Sequence, residues 1–287
     1  MTRSQAKAGR GPATWLLLGP GLVWLLLFFV VPMYFMGVVS LESGSITTGF
    51  EFTWEFANFT DALSGHEEEI LRSFLYGGIA TALALLIAYP LAYMIAFRAG
   101  RWRNALLFAV IAPFFTTYLI RTLAWQTILS DQSPVVDVLR TVGLVSEGGR
   151  VLDTSASVIA GLTYNFLPFM ILPIYASLER IDQSLIEAAK DLYASAATTF
   201  RKVTLPLTAP GIVAGTLLTF IPAAGDYINA EFLGSPSQAM IGNVIQSKYL
   251  ELIDYPAAAA LSFILMAAIL VGVAIYSRAL GTERLTG

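Results

Sequence analysis

Six stretches of the chain, 17–31 residues long, contain no Asp, Glu, Lys or Arg: 11–41, 73–97, 104–120, 154–178, 203–225 and 255–277. Crossing the hydrocarbon core takes about 20 mostly apolar residues in a helix. Each run is therefore one predicted crossing, the third being continued past Arg121 by residues 122–130. Barrel strands alternate polar and apolar residues, whereas these runs are apolar on every face. The expected fold is an all-α polytopic membrane protein with six transmembrane helices. Only 13% of the residues are charged, against about 25% in soluble domains, so lipid is the solvent this composition suits.

The basic residues orient the spans. With a cytoplasmic N-terminus, 12 of the 17 Lys and Arg fall on inner segments, and Arg72, Arg121, Arg140, Arg150 and Lys248 on outer ones. The positive-inside rule then places both termini in the cytoplasm. The expected organisation is a cytoplasmic segment 1–13, a six-helix transmembrane domain 14–280 and a cytoplasmic tail 281–287. A secretory signal has an apolar centre of only about 7–15 residues. The first run is longer, with Pro20 and Pro32 bracketing its centre, so it is expected to remain as the first helix.

The chain holds no cysteine, which removes disulfides and thiolate chemistry. It contains no GxxxxGK[ST], HExxH or GxSxG pattern. The one histidine, His66, sits beside Glu67 in an acidic segment and reads as a solvated loop residue. With no nucleophile–base pair or metal set, the chain is expected to be non-catalytic and to bind no cofactor or metal.

On this topology residues 179–202 form the one substantial cytoplasmic loop. Ser184 followed by Glu187 has the spacing of a capping box opening a helix. Leu185, Ala188, Ala189, Leu192, Ala196 and Phe200 recur every three or four residues, predicting one apolar face over 184–200. Pro206 and Pro210 are expected to separate this piece from the next span. An amphipathic helix between spans either lies in the lipid interface or docks in a partner's groove. A face rich in alanine favours docking.

EAAKDLYASAATTFRKVTLPLTAPGI, residues 187–212, resembles the EAA loop of binding-protein-dependent ABC importer permeases. The resemblance implies a type I importer permease fold, in which loop 179–211 holds the coupling helix that a cytoplasmic ATPase grips. Glu187, Ala188, Ala189, Asp191, Leu192, Leu205, Pro206, Pro210 and Gly211 carry over by position, and Phe200 belongs to the same stretch. Tyr193 stands where the family usually has glycine, so the local turn and the ATPase groove are expected to differ there. For Glu187 two compatible readings stand, a helix cap and a salt bridge to the ATPase.

YNFLPFMILPIYASLERIDQSL (164–185), RTLAWQTILSD (121–131) and GNVIQ (242–246) are similar to permeases of spermidine/putrescine importers, and to the first of their two permeases. The implied partners are a second homologous permease, two ATPase subunits that bind ATP and magnesium, an extracytoplasmic substrate-binding protein and membrane lipid, but no nucleic acid. The implied location is a bacterial cytoplasmic membrane, with the chain crossing it several times.

The charge distribution bears on the solute. Outer segments hold 15 acidic against 5 basic residues, a face that attracts polycations, although acids also simply solvate an extracellular surface. Asp226 and Glu231 follow the fifth span, where Pro222 and Gly225 are expected to interrupt the helix. Carboxylates at membrane depth mark a pathway or a buried partner, and Arg121 is the candidate partner. Tyr164, Asn165 and Trp125 are candidates for holding an ammonium group by hydrogen bonds and cation–π contact. The rivals are the same importer role for iron, thiosulfate or an amino-acid-like solute, and a stand-alone secondary transporter.

Overall fold

In the computed structural model, residues 12–146 and 148–279 are described. The expected tail 281–287, residues 1–11 of the expected N-terminal segment, and Glu147 lie outside them. Helices α1 (Pro12–Leu25) and α2 (Val31–Val39) are joined by a π-helical turn, Leu26–Val30. Together they give a first span, Leu16–Val39, in which no residue is fully buried. Residues 42–52 form a hairpin of β1 (Glu42–Ser45) and β2 (Gly49–Phe52), with Glu42 opposite Phe52. α3 (Ala57–Gly65) leads into the long α4 (Glu67–Phe97), whose first turn carries Glu67, Glu68 and Glu69, where the helix dipole favours acids.

The third apolar run is not one helix. α5 (Arg103–Ile111) passes through a 3₁₀ turn, Ala112–Phe115, and stops; α6 (Tyr118–Ile128) starts afresh, and the two segments are bent by 97°. Pro113 has no N–H to continue the helical ladder, and both Thr116 and Thr117 take extended backbone. The single crossing expected over 104–130 is thus corrected to a broken one, so the described residues hold five long spans plus this bent pair. α7 (Pro134–Thr141) is a short helix capped by Ser133.

α8 (Ser155–Glu179) is the central span, and α9 (Gln183–Asp191) and α10 (Ala196–Thr199) follow it. A π-helical turn, Phe200–Thr204, then feeds α11 (Leu205–Ala224). Two proline expectations fail here. Helix runs unbroken from Ala196 to Ala224: Pro206 comes just after the π turn Phe200–Thr204, where the regular helical ladder is already interrupted. Pro210 and Pro222 lie inside α11, which ends only at Gly225. α12 (Ile228–Leu233) and α13 (Ile241–Leu250) precede the last span, α14 (Tyr255–Ala279).

The core is the contact of α4, α8 and α11. Along α4 the buried residues Ser73, Gly77, Ala80, Ala84, Ala88 and Ala92 repeat at three or four residues, a stripe small enough to let helices touch in lipid. Opposite them stand the fully buried Leu162, Met170, Ile174 and Leu178 of α8. At Gly77 a Cβ would sit 3.1 Å from the Ala224 nitrogen, so backbone meets backbone there.

Candidate functional site

The break between α5 and α6 positions a buried polar cluster. Tyr118 starts α6 directly after the extended threonines, and Arg121 and Thr122 follow one turn later. α8 contributes Asn165. Because α11 stops at Gly225, Asp226 and Asn229 turn inward beneath the start of α12.

Asp226 accepts from the Tyr118 hydroxyl (2.5 Å), from the Asn229 N–H (2.8 Å) and from Asn229 Nδ2 (3.1 Å). Asn165 Nδ2 donates to Asn229 Oδ1 (3.1 Å) and to Thr122 Oγ1 (3.3 Å). Tyr118 is thus the hinge of the cluster: its hydroxyl serves Asp226 and also accepts from Asn229 Nδ2. A carboxylate at this depth is held by three donors from neutral groups, which removes much of its cost.

Two members of the cluster keep polar atoms without a partner among the described residues, Asn165 at its Oδ1 and Arg121. Arg121 is only 8% exposed, and its Nε and Nη1 are the unpartnered atoms. Its guanidinium lies 5.4 Å from the Phe114 ring centre and 5.6 Å from that of Tyr118, a cation–π arrangement worth about 0.5–2 kcal/mol. Arg121 forms no ion pair with Asp226, so the expected pairing is corrected: Tyr118 and Asn229 take the carboxylate's acceptor sites instead.

The other path candidates divide between two places. Trp125 and Tyr164 pack on each other, ring centres 5.4 Å apart, and Tyr164 lines an apolar cleft of about 310 Å³ with Leu91, Pro113 and Pro168. Tyr164 therefore points away from its neighbour Asn165. Glu231 is exposed and accepts from Asn243 Nδ2 at 3.0 Å. It lines a separate cleft of about 470 Å³ with His66, Gln246, Lys248 and Glu251. Asp226 and Glu231 do not act together. Residue reading missed Tyr118, Thr122 and Asn229; only the Asp226–Asn229 spacing, three residues as in a helix cap, hinted at any of them.

The loop after α8 forms a second feature. Asp182, not Ser184, caps α9: its carboxylate accepts from the Ser184 N–H at 2.9 Å. That bond holds the Asp182 pKa below the ordinary carboxylate value. The Ser184–Glu187 capping box is therefore absent, and Glu187 is exposed along with Ala188 and Asp191. At the far end Ala194 N–H bonds Ala189 O (3.0 Å) and Tyr193 N–H bonds Lys190 O (2.8 Å), the paired bonds of a Schellman turn. Tyr193 occupies the left-handed position, φ 59°, at a cost of about 1–2 kcal/mol for a residue with a Cβ. The turn expected to change with glycine's absence is made by tyrosine in glycine's conformation.

This turn splits the apolar face expected over 184–200. Ala196 and Phe200 belong to the next helical segment, and Phe200 packs edge-on against Tyr89 and Tyr93 of α4, 5.5 and 6.3 Å away. Gly211 is buried: a Cβ would lie 2.5 Å from Pro173 O, so it fits α11 to α8. Ala189 is half-buried, Pro206 exposed. The residues presented outward are Glu187, Ala188, Asp191, Leu192 and Tyr193.

Residues 14–279 match the family model described as binding-protein-dependent transport system inner membrane component. The spermidine/putrescine transport system permease protein PotB of Haemophilus influenzae is 36% identical over 257 residues, covering 89% of this chain and 90% of that one. The PotB of Escherichia coli is 36% identical over 243 residues, covering 84% and 88%. Among solved structures, a chain of a bacterial ABC transporter involved in the import of alginate superposes with a TM-score of 0.68. It is 22% identical, with 96% of this chain and 98% of that one covered. The apolar spans, the small-residue core and the loop thus have their counterpart in one group, and the chain belongs to the family of binding-protein-dependent transport system inner membrane components.

Proposed function

We propose that this chain is one of two permease subunits of an ATP-driven importer of polyamines, spermidine and putrescine among them. The observation that carries the solute is the 36% identity to PotB across about nine-tenths of both chains. The assembly would comprise a second, homologous permease, two cytoplasmic ATPase subunits holding ATP and magnesium, and an extracytoplasmic binding protein. Both termini and α9 would lie on the cytoplasmic side.

The geometry supports a division of labour. α9 is tied to the bundle through Ile181, buried, and Ile186, half-buried, which pack on the core of Ala92, Ile95 and Leu178. A push on its outward residues would pass into α4 and α8, so ATPase closure would open the permease pair outward and hydrolysis would reset it. At the polar cluster an ammonium group would displace Tyr118 and Asn229 as donors to Asp226, exchanging hydrogen bonds from neutral donors for an ion pair. No covalent step is assigned to this chain.

One observation favours a different solute for the same machine: Arg121, cationic and unpartnered in that cluster, suits an anion better than an ammonium. Uptake of labelled spermidine and putrescine by proteoliposomes holding the whole complex decides between them. ATP-dependent uptake, lost on Asp226→Asn in a complex that still assembles, is the expected result. An assembled wild-type complex that takes up neither polyamine overturns the solute. Uptake by this chain alone overturns the importer reading.

A further inference from the structure

An open cleft of about 410 Å³ lies at the end of α4, walled by Tyr89, Pro90, Tyr93, Met94 and Phe200 and bordered by Arg98. No acid lines it. Arg98 directly follows the last residue of α4, and two more cations, Arg201 and Lys202, directly follow Phe200 in the π turn. All three are exposed, and among the described residues none forms an ion pair. The Tyr89 hydroxyl is engaged by Thr208 Oγ1 at 2.9 Å, whereas that of Tyr93 has no hydrogen-bond partner among the described residues.

The cleft continues along the helix. Leu83, Ile87, Pro90 and Met94 fall at spacings of four, three and four, and all are exposed, so they line one side of α4. The opposite side, Ala84, Ala88 and Ala92, is buried in the core. From Leu83 to Met94 the helix rises about 16 Å, about half of the ~30 Å hydrocarbon core and so the depth of one leaflet. An apolar track one leaflet deep thus ends at unpaired cations.

That combination chooses the occupant. A polyamine would be repelled by three cations with no acid among them. A free anion would use the cations and leave the track empty. An anionic phospholipid uses both, and basic pockets between spans on the cytoplasmic side suit its headgroup. The geometry points to a phospholipid site at the inner end of α4: the phosphate of an anionic lipid meets Arg98 and the Tyr93 hydroxyl, and its acyl chain runs along Met94, Pro90, Ile87 and Leu83. Arg201 and Lys202 add to the attraction. The site goes beyond the transport reading and does not depend on the solute.

The test follows thermal unfolding of the purified full-length chain in a neutral detergent as dioleoylphosphatidylglycerol is added. Saturable stabilisation is expected, with less from dioleoylphosphatidylcholine and none from inorganic phosphate. R98Q removes one exposed charge, so without added lipid it is expected to melt like wild type. It should need about fivefold more phosphatidylglycerol for half the effect, the worth of one cation at an anionic headgroup. R278Q removes an exposed cation at the end of α14, outside the cleft, and should titrate like wild type. Equal titrations of wild type and R98Q overturn the site. An equal loss in R278Q also overturns it, by reducing the effect to general surface attraction. Equal stabilisation by inorganic phosphate gives the cations to a free anion and overturns the lipid. Native mass spectrometry of the assembled transporter should find phosphatidylglycerol kept by wild type and lost from R98Q. A lipid held by the chain alone but absent from the assembly overturns the site in favour of a neighbouring subunit.

Discussion

Asp226 accepts three hydrogen bonds in a site where water is scarce. Asp226→Asn keeps its volume but replaces one acceptor oxygen by an NH₂ donor that faces another donor. A buried polar mismatch costs about 1–3 kcal/mol, so the purified chain is expected to melt lower in detergent. Asp226→Ala removes the acceptors altogether and is expected to fall further. Gly211→Ala tests packing alone: its Cβ would meet a backbone oxygen at 2.5 Å, and overpacking of this kind costs about 1–3 kcal/mol. Its melting temperature should fall, and shortening the neighbour with Ser177→Ala should restore only part of it, because the Pro173 carbonyl cannot move aside. That Asp226 would need buried partners was legible in the sequence from its depth near a span. Its partners were not, since Tyr118 and Asn229 reach it only through the bend at Thr116–Thr117 and the stop at Gly225. Arg121, chosen by charge alone, is buried beside the cluster but does not pair with the carboxylate, whose acceptor sites are taken by Tyr118 and Asn229.

At the scale of the element, α9 depends on its two ends. Asp182 is its cap, and Ser184 beside it is only the donor. Asp182→Ala is expected to raise hydrogen exchange at the first amides of α9, whereas Ser184→Ala should leave it nearly unchanged. The carboxylate's pKa is lowered by this bond, so its contribution is present above the ordinary aspartate value and disappears as pH falls through the lowered one. Exchange protection of the Ser184 amide, corrected for intrinsic rate, should follow that sign and be lost only in acid. The helix after Pro206 shows why a proline count misjudges boundaries. Pro206 follows a π turn, where the regular ladder is already interrupted, and prolines inside a span are tolerated where neighbouring helices pack around them. Breaking the third run took Pro113 together with two extended threonines.

At the scale of the whole molecule, the absence of cysteine makes topology directly measurable. A single Thr47→Cys in the β1–β2 turn is expected to react with an impermeant thiol reagent in intact cells, and Lys190→Cys in α9 only in inverted vesicles. The reverse pattern would invert the chain. No residue of the first span is fully buried, so lipid or another subunit must cover its outer face in the assembled transporter. Sequence alone determined which segments enter lipid, that the fold is helical, and which loop resembles the coupling segment, because these depend on local composition and on spacing along one helix. The tertiary structure decided the 97° break, the partners of Asp226, the isolation of Glu231 from it, and which loop residues face outward. Those depend on how close α4, α8 and α11 approach, and that distance is set by small residues far apart in the chain.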